Sequence, residues 1–304
     1  MTSTTALSIA QAIQERALAS KKAEMAKPVL QRRAIKPIQI PLWDNSALAV
    51  QFDIARSALF SATSRGKRKY FADEIIPSLS HLKILYRGEE LRQRDFDVYL
   101  EILSLARGQH ITSENPWTRF TARSLVRELG WTANNVSLNE LRQIISRLIA
   151  CNIQVTRKDN GIERSYGYSG LLERMAGVVN DNFSSETEGA KDWAVIINTE
   201  IAEQIRPGLY TKVDKNIRKK LSPLGKWLQS YYSTHSKPYP IKIESIQELS
   251  GSLHYSKSQF KYILKDEMEV LRSLNFFTSY SISAENLVSV VKGSLYGQIG
   301  GEIE

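Results

Sequence analysis

The residue types that make and break covalent bonds are few in this 304-residue chain, and none sits at a workable spacing. Four histidines, His81, His110, His235 and His254, lie far apart with no His-x-His pair, so local spacing supplies no metal site. The single cysteine, Cys151, excludes an internal disulfide and a multi-cysteine zinc site. It ends an amphipathic run and reads as a packed core thiol. Gly225-Lys226-Trp227 lacks the preceding glycine and the following hydroxyl of a phosphate-binding loop. The paired acids Glu89-Glu90 and Asp95, Asp97 read as helix N-terminal and solvated charges. The expectation is a protein that is not an enzyme, with no catalytic residue, no metal and no cofactor.

The chemistry the spacing does offer is polyanion binding. Lys plus Arg number 41 against 32 acids, a net charge of +9 that favours a polyanionic partner. From Phe260, apolar Phe260, Ile263, Leu264, Val270, Leu271 and Leu274 recur at helical spacing and fill an arc of roughly 160° at 100° per residue. Ser258, Lys261, Tyr262 and Lys265 crowd the other side, with Lys257 at the leading end. Such a helix can lie in the DNA major groove, with Ser258 and Gln259 near base edges and the lysines reaching phosphates. A second helix, marked by Leu138, Leu141, Ile144, Ile145, Leu148 and Ile149, shows Asn139, Arg142, Gln143 and Ser146 on its outer side. The loop Arg65, Lys67, Arg68, Lys69 adds Arg68 as a candidate phosphate contact. The plainer reading of each face is solvated charge on an ordinary core helix.

Positioning these faces requires helix-turn-helix units. Ile241 to Ser250 reads as an extended entry into a small helix, Gly251 as the tight turn, and Leu253 to Ser258 as turn and cap residues. FFTSYSI and LVSVVKG follow as a hairpin. Upstream, Thr121 can cap a short helix that Gly130 ends, and Asn152 to Thr156, the Asn160-Gly161 turn and Ile162 to Tyr168 read as another hairpin. Gln51 to Phe60 reads as extended, Leu79 to Arg87 as a strand and Leu91 to Ala106 as a helix. Gly177 to Lys191 is polar and reads as a loop or domain boundary, Trp193 opens a strand, and Ser222-Pro223 starts a helix. The two halves share this order, which predicts an α+β chain of two tandem winged-helix domains: 1–50 a flexible N-terminal extension, 51–182 the first domain, 183–296 the second, 297–304 a tail. No apolar run reaches the ~20 residues of a spanning helix, and no secretory signal is visible, so the expected location is the cytoplasm.

The extension holds alanine-rich Ser8 to Met25, a frayed or partner-dependent helix, and then two Lys-Pro steps that favour extended chain. Within it Gln39, Ile40, Pro41, Leu42 and Trp43 resemble the bacterial sliding-clamp-binding motif, whose usual form is Gln-Leu-x-Leu-Phe. In that motif the glutamine fixes the backbone while Leu42 and the aromatic drop into apolar pockets. The alternative is that Leu42 and Trp43 tuck against the first domain.

A longer resemblance runs through the chain. Arg56-Ser-Ala-Leu-Phe60, Tyr86-Arg-Gly-Glu-Glu-Leu-Arg92, Phe120-Thr121 with Leu129-Gly-Trp131, Tyr210-Thr-Lys212, Leu221-Ser-Pro223, Trp227, Tyr231, Ser233, His235 and Pro238 to Glu244 are similar, in collinear order over about residues 52–292, to the TrfA-type plasmid replication initiators. The resemblance implies two winged helices, binding to iteron repeats at a plasmid origin and opening of an adjacent AT-rich region. It implies as partners duplex origin DNA, the host sliding clamp, the host initiator DnaA and the replicative helicase DnaB, with no membrane and a monomer-dimer equilibrium. A transcriptional repressor built on the same helix-turn-helix units is the alternative. A third reading is a DNA-processing enzyme with an unseen catalytic site.

Overall fold

The computed structural model of the chain describes residues 37–159, 162–179, 182–184 and 191–293. Its middle is the helix Gln93–Leu105, buried nearly all round, with Phe96, Val98, Tyr99, Leu100, Ile102 and Leu103 in the core and Gln93, Asp95 and Glu101 buried beside them. Its apolar side chains are covered by the surrounding elements, and its buried polar ones must find partners there. Phe60 stacks on Phe96 at 4.4 Å, and the short parallel pair Phe60–Ser61 with Leu91–Arg92 leads into the helix.

Two four-stranded antiparallel sheets flank this centre. In one, Ile162–Ser169, Asn152–Asp159, Leu82–Glu89 and Tyr70–Ile76 lie in that order, with Tyr86 opposite Ile153. In the other, Asn182–Ser184, Leu172–Val179, Asp192–Ile197 and Trp117–Thr121 follow one another. Between them runs Asn135–Ala150, which buries Leu141, Ile144, Ile145 and Leu148 and is capped by Asn134, whose side chain accepts from the Ser137 N–H at 2.9 Å.

The C-terminal part has its own core, where Trp227, Leu228 and Tyr232 of Pro223–Ser233 meet Ile246 of Ile243–Leu249 and Phe260, Leu264, Met268 and Leu271 of Lys257–Ser273. The sheet Ile241–Lys242, Leu287–Lys292, Phe277–Ile282 closes it. Gly251 adopts φ +69°, and a Cβ there would come within 2.8 Å of the Ser61 Cβ, so both the turn and the close approach require glycine.

The division into domains differs from the sequence-based one. Pro37–Glu304 is one compact unit, so ordered chain begins before residue 51. Ala47–Gln51, expected at the end of an extension, pairs antiparallel with Tyr210–Asp214, and a boundary at 182/183 would cut the strand Asn182–Ser184. The strand Asp192–Ile197, expected to open the second domain, lies between Leu172–Val179 and Trp117–Thr121 of the first. Gly177 begins no loop: Gly177, Val178 and Val179 extend a strand, Gly177 and Val178 pairing on both sides and Val179 with Asn182. Gln51 to Phe60, expected to be extended, contains a short helix, Phe52–Ala55. Met268 takes the buried place expected for Val270, which is exposed. The N-terminal helix of Ser8 to Met25, the Asn160-Gly161 turn and the tail 297–304 lie outside the described residues.

Ion pairs join the two parts. Arg218 is buried, and its guanidinium donates to Asp97 Oδ1 at 2.7 Å, Gln93 Oε1 at 3.0 Å and Ser230 Oγ at 3.0 Å. Lys215 donates to Glu101 at 2.8 Å and Glu128 at 2.9 Å. Burial alone pulls the Lys215 pKa down, but its two carboxylate partners leave it above the ordinary lysine value. Truncating one partner of such a buried pair leaves an uncompensated charge.

Candidate nucleic-acid interface

The first two turns of Lys257–Ser273 present the candidate surface. Ser256 caps the helix, its Oγ accepting from the Gln259 N–H at 3.3 Å while Gln259 Oε1 accepts from the Ser256 N–H at 3.1 Å, a reciprocal capping box. Lys257, Ser258, Gln259, Tyr262 and Lys265 are exposed. Lys261 is half-buried, donating from Nζ to Asn286 Oδ1 at 2.7 Å, at the tip of the hairpin between Phe277–Ile282 and Leu287–Lys292. The sequence thus brings five of the six residues on this face to solvent and ties the sixth to the hairpin.

Two features were not legible in the sequence. The capping box commits the Gln259 oxygen, and the Ser258 hydroxyl lies 3.3 Å from Ser256 Oγ, so the polar groups expected at base edges are engaged in starting the helix. Beside them Tyr255, Ser258, Gln259, Tyr262 and Ile263 line an open concavity of about 460 Å³. The helix also changes sign along its length: lysines occupy its first half, Asp266 and Glu269 the exposed positions beyond, with Glu269 held by Arg272 at 3.0 Å. The positive charge of the helix is therefore concentrated on its N-terminal turns.

On the helix Asn135–Ala150, Asn139, Gln143 and Ser146 are exposed on one side. Arg142 is half-buried; its guanidinium donates to Asn139 Oδ1 at 2.9 Å and lies 5.3 Å from the centre of the Trp193 ring. Arg147 faces inward, 2.8 Å from Asp95 Oδ1.

Arg68 is not part of either face. Its guanidinium donates to the Glu90 carbonyl and to Asp95 Oδ2 at 2.7 Å. The Asp95 carboxylate is fully buried and also receives Arg147, so Arg68 neutralises an interior charge rather than meeting phosphate. The same geometry corrects the view of Asp95 and Asp97 as solvated: Asp97 takes Arg218 at 2.7 Å and Lys226 at 2.5 Å.

The clamp-like segment is folded in. Ile38–Gln39 pairs antiparallel with His110–Ile111, Gln39 Nε2 donates to the Gly108 carbonyl at 2.9 Å and the Ile40 N–H to the Gln109 carbonyl at 3.1 Å. Ile40 is 1% exposed and Trp43 4%, its ring 6.5 Å from that of Tyr210, while Leu42 is 77% exposed. Residues 37–43 are therefore not a flexible extension: two apolar side chains with a sheet edge to lie on bury themselves in the chain that carries them.

Residues that carried the sequence resemblance gather in the interior. Arg56 donates to Thr234 Oγ1 at 2.8 Å and to its carbonyl at 2.6 Å, the Trp227 Nε1–H donates to the Ser57 carbonyl at 3.0 Å, and Trp227 stacks on Tyr231 at 5.0 Å. His235 lies 3.0 Å from the Tyr231 carbonyl, and burial, with the Arg56 charge nearby, pushes its pKa down to about 4. These side chains hold the first part of the chain to the second. Burial pushes the Cys151 thiol up to about 11, which keeps it unreactive. Among the described residues no helix is long and apolar enough to cross a membrane, and no group of three or more His, Cys, Asp or Glu could hold a metal ion.

A family model described as TrfA protein matches residues 4–289. The plasmid replication initiator protein TrfA of Escherichia coli is 30% identical over 247 residues, 77% of this chain and 59% of that protein, so the chain spans about three-fifths of the curated relative's length. Two crystal structures of domains 2 and 3 of RctB align with a TM-score of 0.49 each, at 13% and 12% identity, covering 78% and 80% of this chain and 94% and 98% of theirs.

Proposed function

This chain belongs to the TrfA family, and on that premise we propose that it initiates plasmid DNA replication as a sequence-specific, non-enzymatic DNA-binding protein in the cytoplasm. The observation that carries the reading is the basic outer surface at the start of Lys257–Ser273, flanked by a hairpin whose tip holds Lys261. We read Ile241–Lys242, Ile243–Leu249, Lys257–Ser273 and the hairpin as one winged helix, and Ala122–Glu128, Asn135–Ala150 and Asn152–Ser169 as its counterpart. Two such helices, with Asn139, Arg142, Gln143 and Ser146 on one and Lys257, Lys261, Tyr262 and Lys265 on the other, would let one chain cover an iteron that a single helix could not specify.

Opening of an AT-rich tract and recruitment of DnaA, DnaB and the sliding clamp complete the proposal. Clamp docking through Ile40, Leu42 and Trp43 requires residues 38–43 to lift from His110–Ile111 first, so the free segment and the folded one compete. The test uses a supercoiled plasmid with tandem repeats of about two helical turns beside an AT-rich tract. Protection of the repeats with permanganate-reactive thymines in the tract is expected. Binding confined to an isolated palindrome, with the tract unreactive, would instead make the chain a repressor.

A further inference from the structure

Sequence reading by this helix needs groups that are free to meet bases, and the Gln259 oxygen and the Ser258 hydroxyl are engaged at its cap. Gln259 Oε1 accepts from the Ser256 N–H at 3.1 Å and from Ser256 Oγ at 3.0 Å, so using the side chain for a bidentate base contact would undo the cap that starts the helix. Beside the exposed lysines, the same two turns offer an apolar surface. Tyr262 is 69% exposed although it lies on an ordered helix, and with Tyr255 and Ile263 it walls the concavity of about 460 Å³. Ile263 and Tyr255 pack at their inner sides on the C-terminal core, which makes the floor rigid. The exposed lysines Lys257 and Lys265 flank the hollow, a charge pattern that fits a polyanion rather than an apolar protein surface.

In the major groove of duplex DNA the one apolar group on a base edge is the C5 methyl of thymine. Resting on the DNA-binding reading above, we propose that Tyr262, with Tyr255 and Ile263, receives a thymine methyl, so that this helix selects sequence by methyl contact and shape rather than by Gln259. Tyr262 is then a specificity-determining residue.

The probe is a duplex enriched from a random pool by the full chain, with each thymine replaced singly by deoxyuridine, which removes the methyl and leaves base pairing intact. At one or two positions, methyl removal should weaken wild-type binding about fourfold, the worth of one buried methyl group. Tyr262→Ala should bind the unmodified duplex more weakly and be indifferent to the methyl there, while Tyr262→Phe keeps the sensitivity; thermal unfolding at the wild-type temperature confirms that neither variant is misfolded. Tolerance of every deoxyuridine by the wild type, a selected duplex without thymine, or the same sensitivity in Tyr262→Ala overturns the proposal and leaves DNA binding standing. Failure to enrich any duplex overturns both.

Discussion

Replacing Trp43 with alanine should destabilise the folded unit by about 3 to 5 kcal/mol, the usual cost of removing a large aromatic from a closed core. The indole is 4% exposed, lies beside Tyr210, and follows a backbone fixed by pairing of Ile38–Gln39 with His110–Ile111, so the site has little freedom to collapse. At about 2 to 4 °C per kcal/mol for a unit of this size, the midpoint should fall by about 6 to 20 °C. Leu42→Ala, at a side chain 77% exposed, should move it by no more than about 0.5 kcal/mol. Circular dichroism melts of the full chain read both. The same arithmetic reaches clamp binding: if lifting the segment costs what burying Trp43 contributes, a free peptide of residues 36–45 should bind the sliding clamp at least about 100-fold more tightly than the intact chain. A Trp43→Ala midpoint within 2 °C of wild type would refute the reasoning, because Trp43 would then be a free anchor on a loose arm.

Further outcomes follow from other sites. Lys257→Ala with Lys265→Ala should reduce the salt slope of binding to any duplex by about 0.9 per lost phosphate contact, read by titration at several salt concentrations. Gln143→Ala or Ser146→Ala should weaken cognate binding by about 1 to 3 kcal/mol for a true base contact while leaving random DNA unaffected, measured by competition. Gly251→Ala should lose at least about 1 kcal/mol of stability, since φ is +69° and the new Cβ meets Ser61, checked by urea unfolding. His235 is held neutral, with its pKa depressed in the folded chain, so its contribution is present above the unfolded value near 6.5 and is lost as pH falls from there towards 4. After discounting for residual exposure this is about 2 kcal/mol, and His235→Gln should flatten that limb of the stability profile.

The helices that carry the candidate faces are legible because their apolar spacing is regular, and Pro223–Ser233 because its cap is explicit: Ser222 accepts from the Gly225 N–H at 3.2 Å, as Ser222-Pro223 foretells, and Gly251 turns where expected. Arg68 is not legible because its partner Asp95 lies on the helix Gln93–Leu105, far along the chain from the Arg68 loop, and a cluster of basic residues looks the same whether it faces solvent or an interior carboxylate. The domain boundary failed for a related reason. A polar stretch such as 177–191 has a loop's composition, but pairing of Leu172–Val179 with Asp192–Ile197 is a long-range event that local pattern does not encode. Gln259 was read as a base contact because a glutamine three residues after Ser256 serves a capping box and a groove equally well in sequence, and only the distances distinguish them. In Gln39 to Trp43 the sequence leaves docking and tucking-in open, and the structure buries Ile40 and Trp43 in the nearest core while Leu42 stays exposed.

The most direct test of the account is site-specific crosslinking from the full chain to a duplex carrying its repeat, with a photoreactive phenylalanine placed in turn at Tyr262, at Gln143 and at Glu269. Crosslinks from Tyr262 and Gln143 to bases within one repeat, and none from Glu269 on the acidic half of the same helix, are predicted. Crosslinks from Glu269 as strong as those from Tyr262, or none from Tyr262 while the duplex stays bound, would contradict the assignment of this helix to the DNA.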